Sequence, residues 1–453
     1  MSYLHFDKTL MINLEESLPR EILRTNKSGA YHCTTIVDCN TRKYHGLLVI
    51  PVPNLDDENH VLLSSLDETV IQHGAEFNLG LHKYQGNHFS PNGHKYIREF
   101  DCEHIPATTY RVGGVILRKE KIFVHHENRI LIRYTLVDAH SATTLRFRPF
   151  LAFRSVREYT HENSQASRDY QLVENGIKTC MYPGYPELFM QLNKKNEFHY
   201  EPNWYKGIEY PKEQERGYDF NEDLYVPGYF EVDIKKGESI IFSAGISEIS
   251  PRRLKQTFEA EVADRTPRDS FYHCLKNSAH QFHNKQEEDH YILAGYPWFK
   301  CRARDMFVSL PGLTLAVDEI GEFEDVMETA RKGYWKASPE QLSNIAKLHT
   351  DLVRQFGPSG SGFTGDNAKL QQFIASQVDA QTAANYNKEL KQMKQATLDG
   401  EATKGGMVLK KQSSDAVQGA QEEQNSLNGG LIAGIVLVAF VVMLLILKKK
   451  RKK

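Results

Sequence analysis

Between Val61 and Ile246 apolar residues recur at alternate positions within short runs, and no other feature constrains the fold as much. Val115, Leu117, Ile122, Val124, Ile130, Ile132, Tyr134 and Leu136 carry the pattern, with polar residues between them. Successive side chains of a strand point to opposite faces, so these runs predict half-buried strands. Gly113-Gly114 and Glu127-Asn128 supply turns, and the Asp233–Glu238 segment is expected to be a hairpin connection before Ile240–Phe242. So many short strands over about 180 residues predict a large β-sandwich. Upstream, Thr34–Val37 is rich in β-branched residues, and Leu47–Val52 is a short apolar strand stopped by prolines. In RFRPFLAFRSVREYTHEN (Arg146–Asn163) Arg alternates with Phe. That predicts one apolar face and one cationic face, either lining a groove or guarding a sheet edge.

The period changes after residue 250. Leu254, Phe258 and Val262, then Phe271, Cys274, Leu275, Ala279 and Phe282, recur at helical spacing on either side of Pro267. His280 and His283 are expected to be neighbours on one helix. A second stripe runs through Leu313, Val317, Ile320, Phe323, Met327, Ala330 and Tyr334, with Asp318, Glu322, Asp325 and Glu328 on its solvated side. Between the two lies AGYPWFKCRARDMFVSLPGLTL (Ala294–Leu315), which concentrates Tyr296, Trp298, Phe299, Arg304 and Asp305. Aromatic faces stack on the C–H faces of sugars, and a guanidinium beside a carboxylate can share the hydroxyls of one ring. The plainer alternative is a loop whose aromatics plug a core and whose Arg–Asp pair caps the next helix.

Two segments carry a resemblance. AGYPWF, followed by Arg304-Asp305 and LPGLTL, and TNKSGAY with NTRKYHGLLV (Asn40–Val49), resemble the bacterial and archaeal glycogen debranching enzymes of the amylo-α-1,6-glucosidase type over about residues 1–335. The chain departs from that family at Arg302-Ala303, where a Trp-Gly is common. The resemblance implies a β-rich N-terminal supersandwich-type domain followed by the beginning of an (α/α)6 barrel. It further implies glycogen or another branched α-glucan as partner, hydrolysis of α-1,6-linked glucosyl stubs, and no cofactor or metal; the scattered cysteines, read as reduced thiols, make a cytoplasmic β domain the expectation. Arg304 and Asp305 would hold the terminal glucose, with Tyr296 and Trp298 beside them. Arg42, Tyr44 and His45 would be the donors and stacking surface of the N-terminal domain, although basic residues in a solvated hairpin turn explain that segment as well. The general acid and base of the family come from loops farther along, so catalytic residues are not assigned and the catalytic machinery is expected to be incomplete. The alternative is a membrane-tethered, non-catalytic α-glucan-binding module.

The expected organisation is a β-sandwich over 1–250, a linker helix and the first helices of a truncated catalytic domain over 251–336, and a polar stalk over 337–427. The stalk is rich in Gln, Ala, Lys, Ser and Asn, a composition that cannot bury a large core. Gly430–Leu447 is uncharged and long enough to cross a bilayer nearly upright, and the basic tail 448–453 follows it; together they predict a single C-terminal transmembrane helix with its basic end in the cytoplasm.

Other classes are argued against by composition. A net charge of −2 over 453 residues gives no case for nucleic acid. The six cysteines are scattered without a CxxC, so neither a disulfide framework nor a zinc site is expected. The N-terminal residues contain acids and no apolar core of a secretory signal. His125-His126-Glu127 at a strand end would point to opposite faces, and His280, His283, Glu287 and His290 lack a recognisable ligand spacing, so no metal is expected.

Overall fold

The computed structural model describes residues 3–332, together with two short strands, Thr403–Lys404 and Met407–Val408. The remainder of the stalk, the apolar run Gly430–Leu447 and the basic tail lie outside the described residues. Among the described residues no helix is long and apolar enough to cross a membrane. The chain forms two compact units, Met1–Gln281 and Phe282–Lys453.

The first unit holds a nine-stranded and a ten-stranded sheet. The nine-stranded sheet centres on Val115–Phe123, Arg129–Asp138 and Ser239–Gly245, and the ten-stranded sheet on Asn59–Gln72, Thr143–Ser155 and Asn221–Ile234. The central pairings are antiparallel. Rings from both sheets meet between them: Tyr134 and Phe242 of one contact Phe147 of the other, with centroids 4.7 and 5.9 Å apart. This is the sandwich that the alternating pattern predicts. Gly113 and Gly114 both take positive φ, +56° and +78°, in the tight turn between Pro106–Val112 and Val115–Phe123, a conformation that side chains oppose.

The Asp233–Glu238 segment is not a hairpin connection. Asn221–Ile234 pairs within the ten-stranded sheet and Ser239–Gly245 within the nine-stranded one, so the segment carries the chain from one layer to the other. A short apolar run looks the same to either layer, which is why the pattern alone suggests a hairpin.

Strand Val115–Phe123 is buried on both faces. Val115, Leu117 and Phe123 enter the inter-sheet core. Ile122 lies on the other face and, with Val124, Leu131 and Ile241, is covered by Leu254 and Phe258 of helix Leu254–Ala263. The helix Phe271–His280 also belongs to this unit, capped at its N-terminus by Ser270, whose hydroxyl accepts from His273 N–H.

Lys119 and Lys121 share the inward face with Leu117 and are fully buried. Lys119 Nζ lies 2.6 Å from Glu68 Oε1 of the opposite sheet and 2.8 Å from Asp38 Oδ2; Lys121 pairs with the other Asp38 oxygen, and Tyr134 donates to Glu68 Oε1 at 2.5 Å. Two cations thus meet two carboxylates inside the sandwich, and Asp38 ties the turn after Tyr31–Thr35 to the opposite sheet.

His32, next to this cluster, is fully buried; its Nδ1–H donates to Gly46 O at 3.0 Å, and its Nε2 has no partner among the described residues. Burial, reinforced by the charge of Lys121, brings it down from 6.5 to about 3. Between those values the unfolded chain binds the extra proton, so stability falls as pH drops through this window. His32→Gln is expected to flatten the decline by up to about 3 kcal/mol, read from urea unfolding at pH 7 and pH 4.

The second unit opens with a small antiparallel sheet, His283–Gln286, Asp289–Gly295 and Phe299–Cys301, followed by helices Ala303–Leu313 and Ile320–Ala330. His280 ends a helix whereas His283 begins a strand, with its Nε2 bonded to Leu313 O, so the two are not helical neighbours. The predicted stripe across 313–334 is broken at Asp318, whose φ is +62°, and Ile320 is 60% exposed while Phe323, Val326 and Ala330 are buried.

Candidate functional site

The NTRKYHG segment is a polar turn folded into the protein. Tyr44 is 3% exposed and His45 fully buried. The Tyr44 hydroxyl accepts from Arg157 Nη1 at 3.1 Å, and its carbonyl accepts from Tyr31 OH. Its ring is enclosed and offers no open face for stacking, contrary to the expectation of a surface platform. Thr41 N–H donates to His45 Nδ1, so Nε2 carries the ring proton and faces Glu21 at 3.6 Å. Arg42 Nε donates to the same Glu21 oxygen at 2.7 Å. Burial works to raise Glu21, but His45 and Arg42 outweigh it and hold the carboxyl at about 2. Cys33 lies close enough to Glu21 and His45 to complete a ligand triad. The Arg42–Glu21 bond and the His45 Nε2–H facing the same oxygen hold the turn against strand Glu21–Thr25, beside a Cys33 thiol that burial raises.

Lys43, like Arg42, is half-buried. It lies on an open cleft of about 460 Å³, walled by Lys43 on one side, by Arg157, Glu158, Tyr159 and His161 after strand Thr143–Ser155, and by Tyr218 and Asp219. The ammonium stands 5.5 Å from the Tyr159 ring centroid, 5.7 Å from Tyr44 and 6.0 Å from Tyr218, and donates to Arg157 O at 3.1 Å. Burial, with the guanidinium charges of Arg157, Arg154 and Arg216, draws it below the ordinary lysine value, against the Glu213 carboxylate. Tyr218 is 40% exposed.

The cleft rests on a buried ion pair. Arg154 binds Glu222 through both Nε and Nη2, the latter at 2.9 Å; Tyr210 OH donates to Glu222, and Thr160 N–H donates to Glu222 Oε1 at 3.0 Å. These bonds fix Thr160 and hence the neighbouring Tyr159, whose ring stacks on Tyr210 at 6.1 Å. Helix Pro211–Glu215 is joined to the signature turn by Lys212 N–H on Thr41 O, at 3.0 Å. Aromatic faces, ammonium and guanidinium donors and carboxylate acceptors on one cleft suit a polyhydroxylated ligand.

Of these groups Lys43 lies within the quoted signature, between Arg42 and Tyr44. Tyr159 sits in the Arg–Phe segment. Tyr218 and Asp219 come from a loop with no local motif to mark them.

In the second unit Tyr296 is buried, its ring centroid 6.4 Å from that of Phe282, and Trp298 is half-buried. Arg304 and Asp305 begin helix Ala303–Leu313. Adjacent helical residues diverge by about 100°, and Arg304 is exposed and forms no ion pair among the described residues. Asp305 lies 4.0 Å from Arg302, whose guanidinium covers the Phe299 ring at 3.9 Å. His290, Glu322 and Asp325 of this unit also cluster, with His290 Nδ1 3.1 Å from Glu322. Each cluster stands within its own unit: Arg42, Tyr44 and His45 in the first, Tyr296, Trp298, Arg304 and Asp305 in the second.

Residues 20–241 match the family described as glycogen debranching enzyme N terminal. No curated protein gives a significant match. Among solved structures, a bacterial glucoamylase complexed with acarbose aligns at 9% identity and a TM-score of 0.38, over 83% of this chain and 66% of that one. A polysaccharide lyase aligns at 12% identity and a TM-score of 0.21, over 52% of this chain and 34% of that one.

Proposed function

We propose, from the premise that residues 20–241 belong to the glycogen debranching enzyme N-terminal family, that this protein acts on branched α-glucans and that its β domain binds the glucan. One observation carries the reading: the signature turn inside the matched region builds a wall of the Lys43–Tyr159–Tyr218 cleft. The proposed reaction is hydrolysis of single α-1,6-linked glucosyl stubs. Arg304 and Asp305 would hold the terminal glucose by charge-assisted hydrogen bonds, a role that the exposure of Arg304 and the partial exposure of Asp305 support. The cleft lies wholly within the first unit, which favours a second reading, glucan binding without catalysis.

Glucose release from glycogen trimmed to single α-1,6 stubs separates the two. The hydrolase reading expects release above a blank, lowered about 100-fold or more by Asp305→Ala. Binding of glycogen with no release at all would leave the second reading alone, and absence of both would sink the two together.

A further inference from the structure

The second unit brings one imidazole and two carboxylates to a single point. His290 lies at the start of strand Asp289–Gly295, and Glu322 and Asp325, three residues apart, share a face of helix Ile320–Ala330. His290 Nδ1 stands 3.1 Å from Glu322 Oε2 and 3.8 Å from Asp325 Oδ2, and one ligand atom from each of the three residues lies within 4.8 Å of the others. Strand and helix are pinned beside the cluster, where His290 N–H donates to Thr329 Oγ1 at 2.8 Å. No local spacing marks the group, because 32 residues separate His290 from Glu322.

Charge leaves the cluster incomplete. The His290 and Glu322 side chains are mostly buried, and among the described residues neither carboxylate has a lysine or arginine in ion-pair range. One imidazole therefore faces two negative groups. Carboxylates taken out of water are matched by cations or metals, and elsewhere in this chain Glu222 receives Arg154 and Asp38 receives two lysines. The geometry suits a metal ion. Four-coordinate zinc with arms of about 2.1 Å sets its ligands about 3.4 Å apart, between the two separations seen at His290. The donor set points the same way: an imidazole nitrogen favours zinc and its first-row neighbours over magnesium or calcium, and two carboxylates offset the double charge. Asp325, 59% exposed, leaves that side open for water at a fourth position.

The tautomer separates this cluster from Glu21, Cys33 and His45. There Thr41 N–H occupies His45 Nδ1 and leaves the ring proton on Nε2, the nitrogen that faces Glu21. At His290 the nitrogen facing both carboxylates is Nδ1, and it becomes a ligand once the ring proton sits on Nε2. We propose that His290, Glu322 and Asp325 form a binding site for one divalent transition-metal ion, zinc by preference, which clamps the strand to the helix. The site is independent of the glucan reading.

The test is a Zn2+ titration of the full chain after chelator treatment, with Co2+ as a spectroscopic probe, in the wild type, His290→Ala and Asp325→Asn. The wild type is expected to bind one equivalent of Zn2+, to gain in thermal midpoint, and to give with Co2+ the visible absorption of a four- or five-coordinate site. His290→Ala is expected to weaken that binding about 100-fold or more, and Asp325→Asn about 10-fold or more. Should His290→Ala fail to fold, Asp325→Asn decides, since its side chain is exposed. A wild type that binds no Zn2+ would overturn the proposal. So would folded variants that keep the wild-type affinity and Co2+ spectrum, and His290 would then be a hydrogen-bond partner of Glu322 alone.

Discussion

Glu222→Ala is expected to destabilise the β domain by about 3–5 kcal/mol, because it leaves the Arg154 guanidinium, 4% exposed, without its carboxylate. The loss has three parts. Arg154 keeps a donor to Ser155 O but loses two charge-assisted bonds; Tyr210 OH loses its acceptor; Thr160 N–H loses the bond that fixes the segment after the strand, next to Tyr159. For a domain of this size, about 2–4 °C is lost per kcal/mol, so a fall of roughly 6–20 °C in the thermal midpoint is expected. The double replacement Arg154→Leu with Glu222→Leu removes both charges together and is expected to cost much less than Glu222→Ala, since well-packed apolar pairs replace buried ion pairs at little loss. A double variant as unstable as the single one would show that the pair matters for shape more than for charge.

The second large effect is expected at Asp38. Its carboxylate faces Lys119 and Lys121, and burial together with the charge of Lys119 already lowers Lys121 relative to an ordinary lysine. Asp38→Asn retains a residue that tolerates φ of +59° and removes only the charge. The two ammonium groups would then share Glu68 alone, and a loss of about 3–5 kcal/mol at pH 7 is expected from chemical denaturation. The pH dependence distinguishes this from a packing defect. With Asp38 gone, Lys121 falls further below its unfolded value; the unfolded chain binds the extra proton, and stability rises with pH. The variant should therefore recover part of its loss between about pH 7 and pH 10. A deficit constant across that range would count against the charge argument.

The layered β architecture was legible because it depends on a period of two, and Phe147, Tyr134 and Leu136 alternate in sequence as they do in the core. Arg146 behaved as a strand-exterior residue, paired with Glu231 and Glu76. Arg154, in the same Arg–Phe run, did not. Leu145, Phe147, Leu151 and Phe153 keep the core face throughout, so Arg154 stays on the opposite face with Arg146; it is buried there because Glu222, Tyr210 and the Tyr159–Thr160 segment cover it. The parity change between Leu117 and Ile122 is a trace of a different kind: it marks a strand with two buried faces, one toward the second sheet and one under a helix. The lysines on its inward face look like solvated residues in sequence, because their partners Asp38 and Glu68 lie far away along the chain. The signature turn was recognised as important, yet polar turn residues suggest exposure, whereas Tyr44 and His45 are enclosed. The cleft itself draws on three separated segments, and only the fold brings them together.

The helix Leu254–Ala263 has a consequence for how this domain can be inherited or exchanged. The last strand of the sandwich ends at Gly245, but Ile122, Val124, Leu131 and Ile241 pack under Leu254 and Phe258 of the helix that comes after it. A transplanted segment that stopped with the β-structure would carry a sheet with a bare apolar outer face, a liability for self-association. The heritable module is therefore the sandwich with its trailing helix, and a recombination joint is tolerated on the far side of that helix, away from the end of the last strand.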